Sequence, residues 1–328
     1  MWSFIKHVSD HMAKPPFGEQ KAPTLWPSSA TAIVDDKVLG KCRRQAFYRY
    51  AKDLYHFDPD YDHLKDLVNK IEQEEEEVSP YMRWIWAQGE LYEDYVVKMA
   101  KESGVFVAGQ TNVYVPKLNI SGKIDVIVIN PETTKYHIVE VKSIYGFNSN
   151  SVLGTEAQQR KGNMGEPRSS HLMQLGIYQW WYANPDERFA EGLLVYGSRD
   201  TGRYGEFLVT VEPNEETGKT HICYRPNSPI KGEKVITPIT IESIVENYQY
   251  VQSSVDNKTI PEKDFDISYS QEKIEDLYQQ GLLTKTETTQ HEKRKAQIAE
   301  GKSRVVKAVE KGDWQCKYCQ YKSICYET

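Results

Sequence analysis

The stretch GKIDVIVINPETTKYHIVEVKSI, residues 122–144, decides the fold. Two apolar runs flank the turn-forming pair Asn130-Pro131, a pattern typical of a β-hairpin. A turn at Pro131–Thr134 sets Asp125 directly opposite Glu140 and puts Lys142, two residues further along, on the same face. We assign the opposite face to the hydrophobic core; its residues are Ile124, Val126, Val128, Val139 and Val141.

Two carboxylates that face each other across a strand pair repel by up to about 1 kcal/mol, so Asp125 and Glu140 favour a cation between them. Oxygen ligands select a hard ion such as Mg²⁺ or Mn²⁺. Such an ion activates water for hydrolysis, and the ammonium group of Lys142 is placed to assist. The alternative is structural: Asp125 caps a strand, and Glu140 pairs with Lys142 or Lys123 on an exposed sheet face.

On both sides of the hairpin, segments with the hydrophobic period of a helix alternate with segments that have the period of a strand. The predicted helices are 37–53 with Cys42 in it, 58–78, 81–102, 169–182 and 241–251, and the further strands are 105–107, 113–115, 192–197 and 206–211. This order predicts an α/β core. We divide the chain into a helical N-terminal segment (1–80), a catalytic core (81–252) and a C-terminal segment (253–328) that begins with a polar linker and a solvated helix.

Length and composition limit the class of protein. A chain of 328 residues with 39% hydrophobic content is expected to form one main domain with terminal elaborations. The N-terminal residues 1–12 are amphipathic without a signal peptide's pattern, and no apolar run is long enough to span a membrane. We therefore expect a soluble intracellular protein with no membrane partner. The net charge of −6 argues against a general polyanion binder, although local basic patches exist.

Four of the five cysteines form a pattern typical of a metal site. Cys316-x-x-Cys319 is followed by Cys325, and Cys42 lies far upstream. Four thiolates suit either zinc or a 4Fe-4S cluster. Cys223 remains as a buried free thiol.

The hairpin resembles the signature of the PD-(D/E)XK nuclease superfamily, in which Asp125 and the triplet Glu140-Val141-Lys142 form the active site. The resemblance implies a restriction-endonuclease-like core, a mixed central sheet flanked by helices. It also implies that Asp125, Glu140 and the carbonyl of Val141 bind Mg²⁺ or Mn²⁺, and that the enzyme hydrolyses DNA.

Two further elements resemble the RecB-like branch. Gly89 with Glu93 matches its G-x-x-x-(H/E) element and implies that Glu93 is a metal ligand, although Glu90 or Asp94 could compete for that role. Gln174 and Tyr178 match the Q-x-x-x-Y element, which contacts DNA phosphate and steadies the active site. His171, three residues before Gln174, is expected on the surface of the helix.

The split cysteine pattern resembles the iron-sulfur nucleases, namely the CRISPR-associated exonucleases and the AddB and Dna2 types. It implies that Cys42, Cys316, Cys319 and Cys325 hold a 4Fe-4S cluster that clasps the ends of the chain together. It also implies an exonuclease that degrades single-stranded DNA from a free end in repair, recombination, phage or CRISPR-type processing, with possible protein partners. The alternatives are a non-catalytic DNA-end scaffold subunit and a zinc-stabilised nucleic-acid-binding protein.

Overall fold

The computed structural model describes residues 23–75 and 79–327. The amphipathic stretch at residues 1–12 lies outside the described residues. Within these ranges, no helix is both long and apolar enough to cross a bilayer.

A seven-stranded mixed sheet forms the centre of the molecule, in the order β3-β4-β5-β6-β7-β8-β9. All neighbouring strands are antiparallel except β5 and β6, which are parallel. The strands are β3 (Phe106–Val115), β4 (Ile120–Ile129), β5 (Tyr136–Ile144), β6 (Gly192–Ser198), β7 (Tyr204–Asn214), β8 (Lys219–Ser228) and β9 (Val235–Thr240), beside a separate hairpin of β1 (Thr31–Val34) and β2 (Lys37–Gly40). A parallel pair needs a long crossover, and the segment between β5 and β6 supplies it.

Helices cover both faces of the sheet. The helices are α1 (Arg43–Phe57), α2 (Lys65–Glu74), α3 (Pro80–Glu102), α4 (Phe147–Leu153), α5 (Glu156–Arg160), α6 (Ser169–Tyr178), α7 (Ile241–Asp256), α8 (Gln271–Gln279), α9 (Lys285–Ala299), α10 (Trp314–Lys317) and α11 (Lys322–Glu327). Helix α3 packs on β3, β4 and β5, whereas α6 and α7 pack with α1 in the larger core. The predicted α/β architecture is confirmed.

The face opposite the carboxylates is buried as predicted, but it is not the only buried face of the 122–144 hairpin. Val126, Val139 and Val141 do pack, but in a small cluster beneath α3. Ile127 and Ile138 share the face of the carboxylates, and both lie in the larger core. Because helices cover both faces of the sheet, the carboxylate face is also shielded from water.

The start of α1 also differs from the prediction. Residues 37–40 form β2 rather than the first turn of a helix, and Cys42 occupies the N-cap position of α1. Gly40 has a φ of +96° and its Cα packs against Met173 of α6 and the carbonyl of Ala30. A side chain at that position would be both strained and obstructed, so Gly40 ends the strand and redirects the chain.

Residues 253–313 are more structured than the predicted linker with one helix. Helix α7 continues to Asp256, and α8 and α9 follow it. Ile274, Leu283 and Val309 form a small separate core beneath these two helices. Strands β8 and β9 were likewise not predicted.

Candidate active site

Asp125 and Glu140 lie just beyond the point where β4 and β5 stop pairing. The ladder runs from Ile129↔Tyr136 to Val126↔Val139, so the next pair in the same register is Asp125 and Glu140, as predicted. In place of a backbone bond, Oδ2 of Asp125 accepts a hydrogen bond from the backbone N–H of Val141 at 2.8 Å. The side chain thus replaces the ladder where the strands separate and fixes Asp125 beside Glu140.

Both carboxylates are buried, and Glu140 is incompletely satisfied. Asp125 is 9% exposed and Glu140 is 0% exposed. The ammonium of Lys142 donates to Oε1 of Glu140, while Oε2 is buried without a hydrogen-bond partner. Burial raises the pKa of Glu140 to about 8 although Lys142 lowers it, and burial likewise raises the pKa of Asp125. An orphaned carboxylate oxygen beside a second buried carboxylate fits a cation ligand.

Glu93 approaches this pair from α3. It accepts a hydrogen bond from the side-chain amide of Gln110 on β3. Burial and, to a lesser extent, the charge of Asp125 raise the pKa of Glu93 to about 7. Its neighbours Glu90 and Asp94 are exposed, so Glu93 is the best placed of the three predicted candidates. Gly89 has open space where a Cβ would lie, so close packing does not require that glycine.

Each carboxylate is held by a partner from the protein itself. Asp125 engages a backbone amide, Glu140 engages Lys142, and Glu93 engages an amide side chain. In the described ranges, no three His, Cys, Asp or Glu side chains are gathered as a ready-made metal site.

Gln174 and Tyr178 lie on the buried face of α6, one turn apart. The hydroxyl of Tyr178 donates to the carbonyl of Lys123 at 3.0 Å. Burial raises the pKa of Tyr178, and the charge of Glu140 contributes to that rise. Both side chains line a groove of about 620 Å³ together with Gly122 and Lys123. The structure therefore brings this pair to the carboxylates.

The sequence did not indicate that Arg168 and His171, at the start of α6, would both contact Tyr196 of β6. The hydroxyl of Tyr196 accepts a hydrogen bond from the backbone N–H of Arg168 at 3.2 Å and lies 2.9 Å from Nδ1 of His171. Burial lowers the pKa of His171 well below its ordinary value, and Lys142, Arg168 and Lys41 lower it further. His171 is therefore not the surface residue that was predicted. Its spacing from Gln174, one helical turn, was the available signal.

The four predicted cluster cysteines line a single cavity of about 210 Å³; they are Cys42, Cys316, Cys319 and Cys325. Burial raises the pKa of Cys42 to about 12 and that of Cys316 to about 11. The charge of Cys319 contributes to both shifts, and the N-cap of α1 meets the C-terminal cysteine segment at this cavity. Nη1 of Arg44 lies 3.5 Å from Sγ of Cys325. Cys223 is buried on β8 and does not line this cavity.

Comparison with known proteins agrees with the geometry. The sequence profile of the PD-(D/E)XK nuclease superfamily matches residues 32–326, a range that contains both the carboxylate hairpin and the four cysteines. No curated protein matches the chain. Members of this superfamily are nucleases, which are hydrolases that typically use Mg²⁺ or Mn²⁺. The chain belongs to the PD-(D/E)XK nuclease superfamily.

Proposed function

We propose that this protein is a metal-dependent DNA exonuclease that degrades single strands from a free end. The observation that carries the proposal is the buried pair Asp125 and Glu140, with an unpartnered oxygen on Glu140 and the ammonium of Lys142 beside it. Burying two carboxylates together is costly unless a cation compensates them. A retired active site would gain stability by losing one of them.

The ligands of Mg²⁺ or Mn²⁺ would be Glu93, Asp125, Glu140 and the carbonyl of Val141. When bound, the ion lowers the pKa of water and stabilises charge on the phosphate. Lys142 and Gln110 hold Glu140 and Glu93 in the structure, so both carboxylates would give up part of these contacts to act as ligands.

Lys142 would assist the hydrolysis in two ways. Its side chain is 22% exposed, so it can reach substrate while its stem stays buried. Burial opposes its charge, but Glu140 and Asp125 raise its pKa, which keeps the ammonium protonated at neutral pH. A protonated lysine there orients the attacking water and offsets the negative charge that develops on the phosphate.

Gln174 and Tyr178 would hold the substrate strand. They line one groove with Gly122 and Lys123 of β4, and there the amide of Gln174 would donate to a phosphate oxygen. Tyr178 is anchored to Lys123 on β4, and this contact keeps α6 in register with the metal-binding strand.

The cleavage mode is tested with DNA labelled at the 5′ end in one sample and at the 3′ end in another, as single strands, duplexes and closed circles, with Mg²⁺, Mn²⁺ or EDTA. We expect linear single strands to be shortened from one end and circles to survive. Cutting of circles would contradict the exonuclease mode, and tight binding of ends without cutting in any metal would favour the scaffold subunit.

We also propose that Cys42, Cys316, Cys319 and Cys325 hold a 4Fe-4S cluster. The support is that all four thiols line one cavity where the N-cap of α1 meets the C-terminal segment. A bound cluster would link the two ends of the chain covalently through its iron-sulfur bonds.

The cluster is tested on anaerobically purified protein by iron, sulfide and zinc content and by visible absorbance. Cys316→Ser is expected to lose iron and unfold at lower temperature, whereas Cys223→Ser keeps both properties of the wild type. Stoichiometric zinc in a colourless protein would contradict the iron-sulfur assignment and favour the zinc-stabilised alternative.

A further inference from the structure

Two cations converge beside Lys142 without any carboxylate to neutralise them. Lys41 and Arg168 are both half-buried. In the part of the chain that the structure describes, neither forms an ion pair, whereas Arg43, close to Lys41 in sequence, pairs with Asp264 at 2.5 Å. Half-buried charges without partners are unfavourable in the free protein, and an anionic ligand between them would offset that cost.

Arg168 is the N-cap residue of α6, and a hydrogen bond fixes its backbone in place. Its N–H donates to the hydroxyl of Tyr196, and Tyr196 is the β6 neighbour of Lys142 in the parallel ladder. Arg168 and Lys142 are therefore held on either side of one tyrosine, which is 0% exposed. The backbone of Arg168 cannot shift without breaking this partly buried hydrogen bond.

Lys41 reaches the same place from β2. Its N–H donates to the carbonyl of Ala30 at 3.1 Å, and its own carbonyl accepts from Oγ1 of Thr31 at 2.7 Å. The preceding Gly40 packs against Met173 of α6. These contacts fix the backbone of Lys41 against the helix that Arg168 begins, and the charges of Arg168 and Lys142 both act on Lys41.

We propose that Lys41 and Arg168 form an anion subsite that binds a backbone phosphate of the substrate next to the scissile one. This inference rests on the proposed function for its substrate, a DNA strand. The guanidinium supplies paired donors for phosphate oxygens and the ammonium supplies a point charge. Because His171 is held neutral beside them and Lys142 is paired with Glu140, the subsite carries its positive charge on Lys41 and Arg168.

The test is binding of a fluorescent oligothymidylate in EDTA, where no cutting occurs, across a series of salt concentrations. Each phosphate contact on a single strand contributes about 0.7 to the slope of log K against log salt, which is about fivefold in affinity at about 0.1 M salt. We expect this loss for Lys41→Gln and for Arg168→Gln, and about 25-fold for the double variant. The matched controls are Lys37→Gln on β2 and Arg160→Gln on α5, which replace exposed residues. Both variants should bind the oligothymidylate like the wild type.

Two measurements separate the subsite from a folding effect. Inorganic phosphate should raise the unfolding temperature of the wild type above that in chloride of equal ionic strength, but not that of the double variant. In a second set of oligothymidylates, one phosphate at a time is replaced by a neutral methylphosphonate. At the phosphate that the subsite binds, this replacement removes the charge, so Arg168→Gln should no longer weaken binding. Three results would overturn the subsite. They are variants whose affinity depends on salt as in the wild type, a set of methylphosphonates in which every position leaves the effect of Arg168→Gln intact, and a wild type that does not bind the oligothymidylate. A protein that binds as described but cuts in no metal would refute the nuclease and leave the subsite standing.

Discussion

Replacing Tyr196 by Phe tests whether one buried hydroxyl positions the start of α6. The ring is 0% exposed and packs edge-on against Phe207 at 5.9 Å, so its packing survives the change. Two hydrogen bonds are lost, to the N–H of Arg168 and to Nδ1 of His171. At about 1 kcal/mol each, the expected cost is about 2 kcal/mol.

For 328 residues, the unfolding entropy is about 0.7 kcal/mol/K, which turns this cost into a fall of about 3 °C in Tm. Because Arg168 loses its anchor, affinity for oligothymidylate in EDTA should also fall, toward that of Arg168→Gln. Calorimetry and fluorescence anisotropy measure the two effects. Tyr204→Phe, at a residue 62% exposed on the neighbouring β7, is the control and should change neither. If Tyr196→Phe keeps the wild-type Tm and affinity, the hydroxyl does not position α6.

Three further perturbations follow from particular contacts. Gly122→Val would bring a Cβ within 2.6 Å of the hydroxyl of Tyr178, so we expect about 1–3 kcal/mol of destabilisation in chemical unfolding; a stable variant would contradict the close packing at the groove. Glu93→Gln should raise the Mg²⁺ concentration needed for half-maximal cutting by about tenfold, since it removes one charged ligand, and an unchanged metal titration would remove Glu93 from the site. Hydrogen bonds, first that of Gln279, lower the pKa of Glu275 to about 2, so its stabilisation of α8 and α9 is present above its ordinary pKa of 4.5 and is lost as pH falls toward about 2. Glu275→Gln should therefore speed hydrogen exchange in these helices at neutral pH and have a much smaller effect at about pH 2; a difference of undiminished size at about pH 2 would contradict the assignment.

The local pattern was sufficient to predict the hairpin and its register. Strict alternation and an Asn-Pro turn specify which residues of β4 and β5 oppose each other, and Asp125 and Glu140 follow from that pairing alone. Cys42 and the C-terminal cysteines line one cavity, and their assignment to a shared metal site stays a prediction.

The remaining features depend on contacts between distant segments. Strands β8 and β9 contain polar positions and a Pro in β9, so their periodicity is weak, and β7 and α7 stabilise them in place. Lys41 belongs to a basic run in the sequence, but its position beside α6 depends on the packing of Gly40 against that helix, which no local pattern contains. His171 was misassigned because an isolated histidine on a helix does not reveal that Tyr196 will cover it.

The most direct test of the nuclease assignment compares metal-dependent cutting by the wild type and by Lys142→Ala. End-labelled single-stranded DNA is incubated with each protein in Mg²⁺, Mn²⁺ or EDTA, beside Lys135→Ala, which removes an exposed lysine at the turn end of the same hairpin. We predict cutting by the wild type and the control in either metal, none in EDTA, and at least about a 100-fold loss in Lys142→Ala, with its DNA binding retained. Cutting at the wild-type rate by a folded Lys142→Ala protein, or cutting that persists in EDTA, would contradict the active site described above.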